Sequence, residues 1–513
     1  MRPQVPGRTP RSTASRASGT THEAPQRRPG AEDQPPAPRS GAPPARPSEA
    51  PAGEAIKLGA GTRLADSALY AHLWGTTEAR AILGEEGRLA GWLEVIAALA
   101  RAQAAAGVIP ARAAALITEH ARPDRIDLGY AAEQTRMAAH SMLGLIRALQ
   151  AALPSDAAEY VYVGATVQDI TDTATALALR GIGGLAWRDL RRIEELLLDA
   201  AITHRSTVMA GRTHGQQGSP VTFGWKAASW ADEVRRHLDR LARGAPRWLV
   251  GQLGGGTGSL VYYGGRGLEV RARFCAELGL ADPVISWPSA RDRIAEFGQV
   301  LALVCGTLAR IGGEVYELQR PEIGELAEPA AAGTVGSITM PHKRNPEASE
   351  HLDTLARLAR ANASVLAEGV AAQHERDGRG WKAEWVALPE VCLLTSTALD
   401  VAIGLLSGLE VCPEAMARNL ERGGGYSVSE RALAALAPRL GKHRAQAELG
   451  MALAAGAASG VTAERALVTA RLCTPEEAAE LTARPDTGAC EEMTDLVVAR
   501  ARAARAAERP AWP

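Results

Sequence analysis

RDRIAEFGQVLALVCGTLARIGGEVYELQ, residues Arg291 to Gln319, carries apolar side chains at Ile294, Phe297, Leu301, Val304, Leu308, Ile311, Val315 and Leu318. The steps alternate three and four without a break, which places all eight on one stripe of an α-helix. Such a helix is roughly 37 Å long at about 1.5 Å per residue. A stripe of that length has to be covered by other helices. Less regular versions of the spacing run through Trp230, Val234, Leu238 and Leu241, and through Leu355, Leu358, Asn362 and Leu366. Leu89, Leu93, Ile96 and Ala100 share a face before Gly107 and Pro110, which predicts an earlier helix over Leu89–Ala106. The fold class implied is all-α with a central bundle of long helices. These stripes are read as packing, without chemistry of their own.

Composition agrees with that class. A chain of 513 residues is too long for one compact core and suggests two or three domains. Hydrophobic residues at 46% and charged residues at 22% fit a soluble globular protein, and three Phe beside abundant Ala, Leu, Arg and Glu favour helices. A net charge of −1 gives no electrostatic basis for a nucleic-acid or membrane partner. No uninterrupted apolar stretch of membrane-spanning length is expected. The six cysteines lack CxxC spacing and read as reduced thiols of a cytoplasmic protein. The histidines lack metal-ligand spacing, so neither a metal nor another cofactor is expected. Residues 1 to about 55 are rich in Pro, Arg, Ser, Gly and Ala, which predicts a disordered tail without the apolar core of a secretory signal.

The chemistry concentrates in Gly336-Ser337-Ile338-Thr339-Met340-Pro341-His342-Lys343-Arg344-Asn345-Pro346. A serine on a glycine-flanked segment, followed by a lysine and an amide, offers a base and a carboxylate clamp on one hinged loop. That set suits removal of a proton beside a carboxylate. The carbanion pushes charge into a group already negative, so fixed donors such as Lys343 and Asn345 have to stabilise it. Ser337 is the candidate base, which requires an alkoxide held by backbone N–H groups and a nearby cation. An interhelical linker that contains Ser and Lys is the alternative for so short a segment.

The segment is similar to the signature loop of the fumarase/aspartase superfamily, whose members cleave C–N or C–O bonds and usually release fumarate. The resemblance implies Ser337 as catalytic base and Lys343 and Asn345 as substrate-carboxylate ligands. Gly211-Arg212-Thr213-His214-Gly215-Gln216, expected to open the helix that carries Trp230, resembles the second active-site region. It implies substrate contacts from Arg212, Thr213 and Gln216, with His214 relaying a proton or meeting a carboxylate. Gly164 to Thr173 resembles the first region, where Thr166 and Gln168 would cradle the second carboxylate and Asp169 would organise the turn. Arg136, His140 and Ser141 are spaced to share a helix face. By similarity to the adenylosuccinate lyase branch, His140 and Ser141 would face substrate.

Three positions depart from the family pattern: Ile338 stands where a second serine is common, Val167 where Ser is frequent, and Gln217 where some relatives place a second histidine. The last two suggest a specialised substrate with a capable leaving group. The segments 374–377, 381–385 and 437–442 resemble 3-carboxy-cis,cis-muconate cycloisomerases, so the resemblance covers about residues 66 to 505. It implies a three-domain fold, with the tail (1–55), an N-terminal helical domain (56–155), a central bundle bearing the active-site loops (156–405) and a C-terminal helical domain (406–513). It also implies a homotetramer with shared sites and a small dicarboxylate substrate. The reaction implied first is β-elimination from a substituted succinate, nitrosuccinate included, with C–N cleavage. Cycloisomerisation of a carboxymuconate, adenylosuccinate lysis and a catalytically dead structural paralogue are the alternatives.

Overall fold

The computed structural model describes residues 62–330, 333, 335–509 and 511–513. The disordered tail expected over residues 1–55 lies outside them. The helices that place the functional segments are α1 (Glu85–Ala105), α2 (Val167–Thr203), α3 (Phe223–Trp248), α4 (Asp292–Leu318), α5 (Glu347–Glu368) and α6 (Gly378–Ser407). The helix α4 matches the Arg291–Gln319 stripe to within one residue at each end, and all eight stripe residues are buried. The predicted Leu89 helix is α1, extended backwards to Glu85. Glu85 and Glu86 in its first turn suit the positive end of the helix dipole.

Helices α2 to α6 pack as one bundle. Two of them carry no clean seam in the sequence. The 37-residue α2 presents buried residues on several sides and is rich in Ala, Thr and Gly, while α6 buries every side chain from Leu394 to Leu399. A helix covered all round shows no 3.6-residue contrast. By length and composition α4 and α6 could each cross a membrane, contrary to the expectation drawn from sequence. Their apolar side chains instead form much of the bundle core. A separate small core, built from Ala432, Leu436, Ala445, Leu449, Leu467, Cys473, Ala478 and Leu481, lies near the C-terminus. Among the described residues all six cysteines are free, and five are buried.

Chain direction fixes which loops share an end of the bundle. Thr173 near the start of α2 donates to the Gln252 carbonyl just past the end of α3 at 2.8 Å, and the Gly224 amide at the start of α3 donates to His204 at the end of α2 at 2.8 Å. The two helices therefore run antiparallel. Arg291, the N-cap of α4, pairs with Asp172 of α2 at 2.7 Å, so α4 runs parallel to α2.

Two short antiparallel sheets cap one end. The first is a hairpin of β1 (Val208–Thr213) and β2 (Gln216–Thr222), and the second pairs β3 (Leu326–Ala327) with β4 (Glu410–Val411). The hairpin corrects the expectation that Gly211–Gln216 opens a helix, since α3 begins only at Phe223.

Candidate active site

The groups singled out in the sequence fall at two opposite poles of the bundle. The first pole is built on the N-terminus of α2. Thr166 is its N-cap, and Asp169 closes a reciprocal capping box with it. The Asp169 carboxylate is fully buried and accepts four N–H donors: Thr166 N, Gly254 N and Gly255 N, each at 2.9 Å, and Gln252 Nε2 at 3.2 Å. Burial pushes this carboxyl up to about 6, against the pull of those donors. One side chain thus pins the glycine-rich segment after α3 to the turn that presents Thr166. The expectation for Asp169 as turn organiser agrees with this geometry.

Arg376 donates to Thr166 Oγ1 at 2.5 Å and lies over the Trp381 ring, 5.7 Å from its centroid. Nothing in the local sequence singles it out. Its partner is 210 positions away, and only the fold brings a cation to that hydroxyl. Gln168 is placed differently from expectation: it is fully buried and donates to the Pro288 carbonyl at 2.5 Å, so it faces the interior. Val167 is 4% exposed and belongs to the core, so its departure from Ser reports on packing and not on the leaving group.

His140 and Ser141 do not share a helix face with Arg136. The helix Leu128–Ala138 ends at Ala139, whose φ of 49° is left-handed, and both residues follow it as exposed loop positions. Ser141 still reaches this pole. It lines a cavity of about 380 Å³ together with Trp92, Trp381 and Trp385. The buried Arg291 guanidinium beneath is held by Asp172 at 2.7 and 3.0 Å and by Glu384 at 2.9 and 2.5 Å.

The opposite pole carries the hairpin and the Ser337 loop. His214 and Gly215 form its two-residue turn with φ of 53° and 75°, the pair of left-handed residues that a type I′ turn needs. Histidine in that region is uncommon. The turn holds His214 out at the tip, between the exposed Thr213 and Gln216. Arg212 is committed elsewhere: its guanidinium bonds the fully buried Glu325 carboxylate at 2.8 and 2.6 Å. Its charge is therefore already paired within the chain. Gln217 donates to the Asn419 carbonyl at 3.1 Å, so this departure too has a structural employment.

The Ser337 loop is closed at its neck. Glu328 accepts the Ala348 and Ser349 amides at 3.1 and 2.7 Å and so bolts the strand side of the loop to the start of α5. Inside the loop, Ser337 Oγ accepts the Met340 amide at 3.1 Å, Lys343 N donates to Met340 O at 2.9 Å, and Asn345 N donates to Gly336 O at 3.3 Å. Gly336 is required here, since a Cβ would stand 2.6 Å from the Lys343 carbonyl. Lys343 is exposed, and Ile338, in the position of the usual second serine, is 94% exposed. Among the described residues no cluster of His, Cys, Asp or Glu is placed to hold a metal ion.

The poles are far apart. At about 1.5 Å per residue, the 27 residues of α4 separate them by roughly 40 Å. A small dicarboxylate cannot bridge that span within one chain.

An all-α bundle whose loops carry this serine, lysine and amide set defines a lyase, and the comparisons agree. A lyase family matches residues 73–360. The chain is 41% identical over 385 residues to an N-acetyl-S-(2-succino)cysteine lyase of Enterococcus italicus, covering 75% of this chain and 84% of the relative. It is 40% identical over 428 residues to a nitrosuccinate lyase of Streptomyces davaonensis, covering 82% and 90%. The solved 3-carboxy-cis,cis-muconate lactonizing enzyme of Pseudomonas putida superposes with a TM-score of 0.77 at 34% identity, over 85% of this chain and 99% of that one. The chain belongs to the fumarase/aspartase superfamily of lyases, in the branch that holds the cycloisomerases and adenylosuccinate lyases.

Proposed function

We propose that the chain catalyses β-elimination from a substituted succinate and releases fumarate. The observation that carries this reading is the Ser337 loop itself, where the hydroxyl oxygen accepts a backbone N–H at 3.1 Å on the same short segment as Lys343 and Asn345. A donor aimed at that oxygen favours its alkoxide. In the proposed step Ser337 takes the proton from the carbon next to one carboxylate. The electron pair moves into that carboxylate, whose growing charge meets Lys343 and Asn345. As the pair returns, the double bond forms and the bond from the neighbouring carbon to the leaving group breaks. Thr166 with Arg376 holds the other carboxylate, and His214 relays a proton or contacts the substrate.

Because the poles lie roughly 40 Å apart along α4, this chemistry needs loops from different copies of the chain. A homotetramer with shared sites, working in the cytoplasm, is the assembly proposed. The named relatives act on a succinylated thiol and on nitrosuccinate. The nitrosuccinate lyase aligns over the larger share of both chains, which makes nitrosuccinate the first substrate to try and C–N the first bond. The structural likeness to the lactonizing enzyme supports a second reading, cycloisomerisation of a carboxymuconate.

A parallel assay of fumarate, nitrite, ammonia and free thiol across nitrosuccinate, 2-succino thioethers and succinyl amines tests the proposal. Fumarate is expected in equal amount with one co-product. Consumption of a carboxymuconate with no second product, and no fumarate from any succinate, would transfer the assignment to the cycloisomerase reading. Inertness toward all of them would leave the structural paralogue.

A further inference from the structure

The hairpin pole contains a closed polar ring whose members come from three distant stretches of chain. Arg212 of β1 and Gln217 of β2 are cross-strand partners. Arg212 binds both oxygens of Glu325, Asn419 Nδ2 donates to Glu325 Oε1 at 2.8 Å and to the Ile323 carbonyl at 2.8 Å, and Gln217 Nε2 returns to the Asn419 carbonyl at 3.1 Å. Glu325 and Asn419 are both buried. The register slips between Ala210 and Arg212, a bulge that re-aims the side chains next to the turn. Gly211 permits it, because a Cβ there would lie 2.5 Å from the Ser219 carbonyl.

Each member of the ring leads to a functional segment. The strands lead to His214 at the turn. Glu325 directly precedes β3, from which the Ser337 loop departs. Asn419 sits on the helix α7 (Pro413–Arg422), whose end runs through Gly423, Gly424 and Gly425 toward the small core of residues 432–481. Gln217 also packs at this exit, its Oε1 standing 3.0 Å from the point where a Gly423 Cβ would be.

We propose that Glu325, Asn419 and Gln217 are positioning residues, which lock the His214 turn and the root of the Ser337 loop into one rigid block. The inference rests on the elimination reading, in which both segments must be correctly placed for the sites they enter. A histidine at position 217 would have a ring N–H able to donate to the same carbonyl. The ring's polar contact therefore does not depend on glutamine as such.

Three variants test this in the full-length protein. Gln217→Ala and Asn419→Ala are expected to lower kcat by between about ten- and a hundredfold, the scale of an ångström-sized misplacement, while KM changes little. Gln217→His is expected to recover most of the loss. Thermal unfolding of Gln217→Ala should remain close to that of the parent, since one partly exposed hydrogen bond is removed. Wild-type kcat in both alanine variants, or a Gln217→His enzyme no better than Gln217→Ala, overturns the proposal. Ser337→Ala run alongside separates the two readings. If it is inactive while the ring variants are unaffected, only the ring proposal fails; if it is fully active, the elimination reading fails first.

Discussion

Replacing Ser337 with alanine is expected to reduce kcat by a factor of at least about a thousand, with the thermal unfolding curve unchanged. The size follows from the step that the hydroxyl performs. Without the oxygen there is no base on the loop, and water in its place has neither the alkoxide character nor the fixed position. The absence of a stability effect follows from burial. Ser337 lies on a partly exposed loop, and its side chain makes one described hydrogen bond, to the Met340 amide. Losing it costs at most about 1 kcal/mol, and the freed amide can turn to solvent. KM should change little, because Lys343 and Asn345 remain. A variant that keeps near-normal kcat would remove Ser337 from the reaction.

Asp169→Asn is expected to damage both stability and turnover. The carboxylate takes four N–H donors, two on each oxygen. An amide keeps one oxygen and turns its own N–H₂ against two of those donors. Each charge-assisted bond contributes roughly 1.5–3 kcal/mol, so the variant should lose several kcal/mol, read as a lower unfolding midpoint in denaturant. Under conditions where it remains folded, KM should rise, because the turn presenting Thr166 is no longer tied to Gly254 and Gly255. Unchanged stability together with unchanged KM would mean that the glycine segment is held by other contacts.

The parts of this fold legible in the sequence are those with one-sided burial or local geometry. The helix α4 shows a seam because solvent or weaker packing lies opposite it, and its ends fall where the seam stops. The role of Asp169 could be read from its place three residues after Thr166, since a capping box is a local device. The helices α2 and α6 were silent because burial on several sides erases the contrast on which periodicity depends. The hairpin is illegible for a different reason: a Thr-His-Gly run can start a helix or turn a chain, and β1 meeting β2 across a bulge decides between them. Arg212 and Gln168 are substrate contacts by resemblance, and Gln217 reads as a departure bearing on the leaving group, yet their side chains hold Glu325, Pro288 and Asn419. Those partners lie 113, 120 and 202 positions away, beyond any spacing rule. The cation beside Thr166 was hidden in the same manner, since Arg376 reaches it only through the return of the chain along α5.

Mixing two inactive variants tests the central claim, that the Thr166 pole of one copy works with the Ser337 loop of another. Ser337→Ala and Arg376→Ala each damage one pole, which lie at opposite ends of the bundle. Each alone should be nearly inactive. Unfolded together in equal amounts and refolded, they should regain about a quarter of the wild-type rate, because random assembly gives a site an intact loop half the time and an intact partner pole half the time. A mixture no more active than the two variants measured separately would show that both poles are required from a single chain, and would contradict the account.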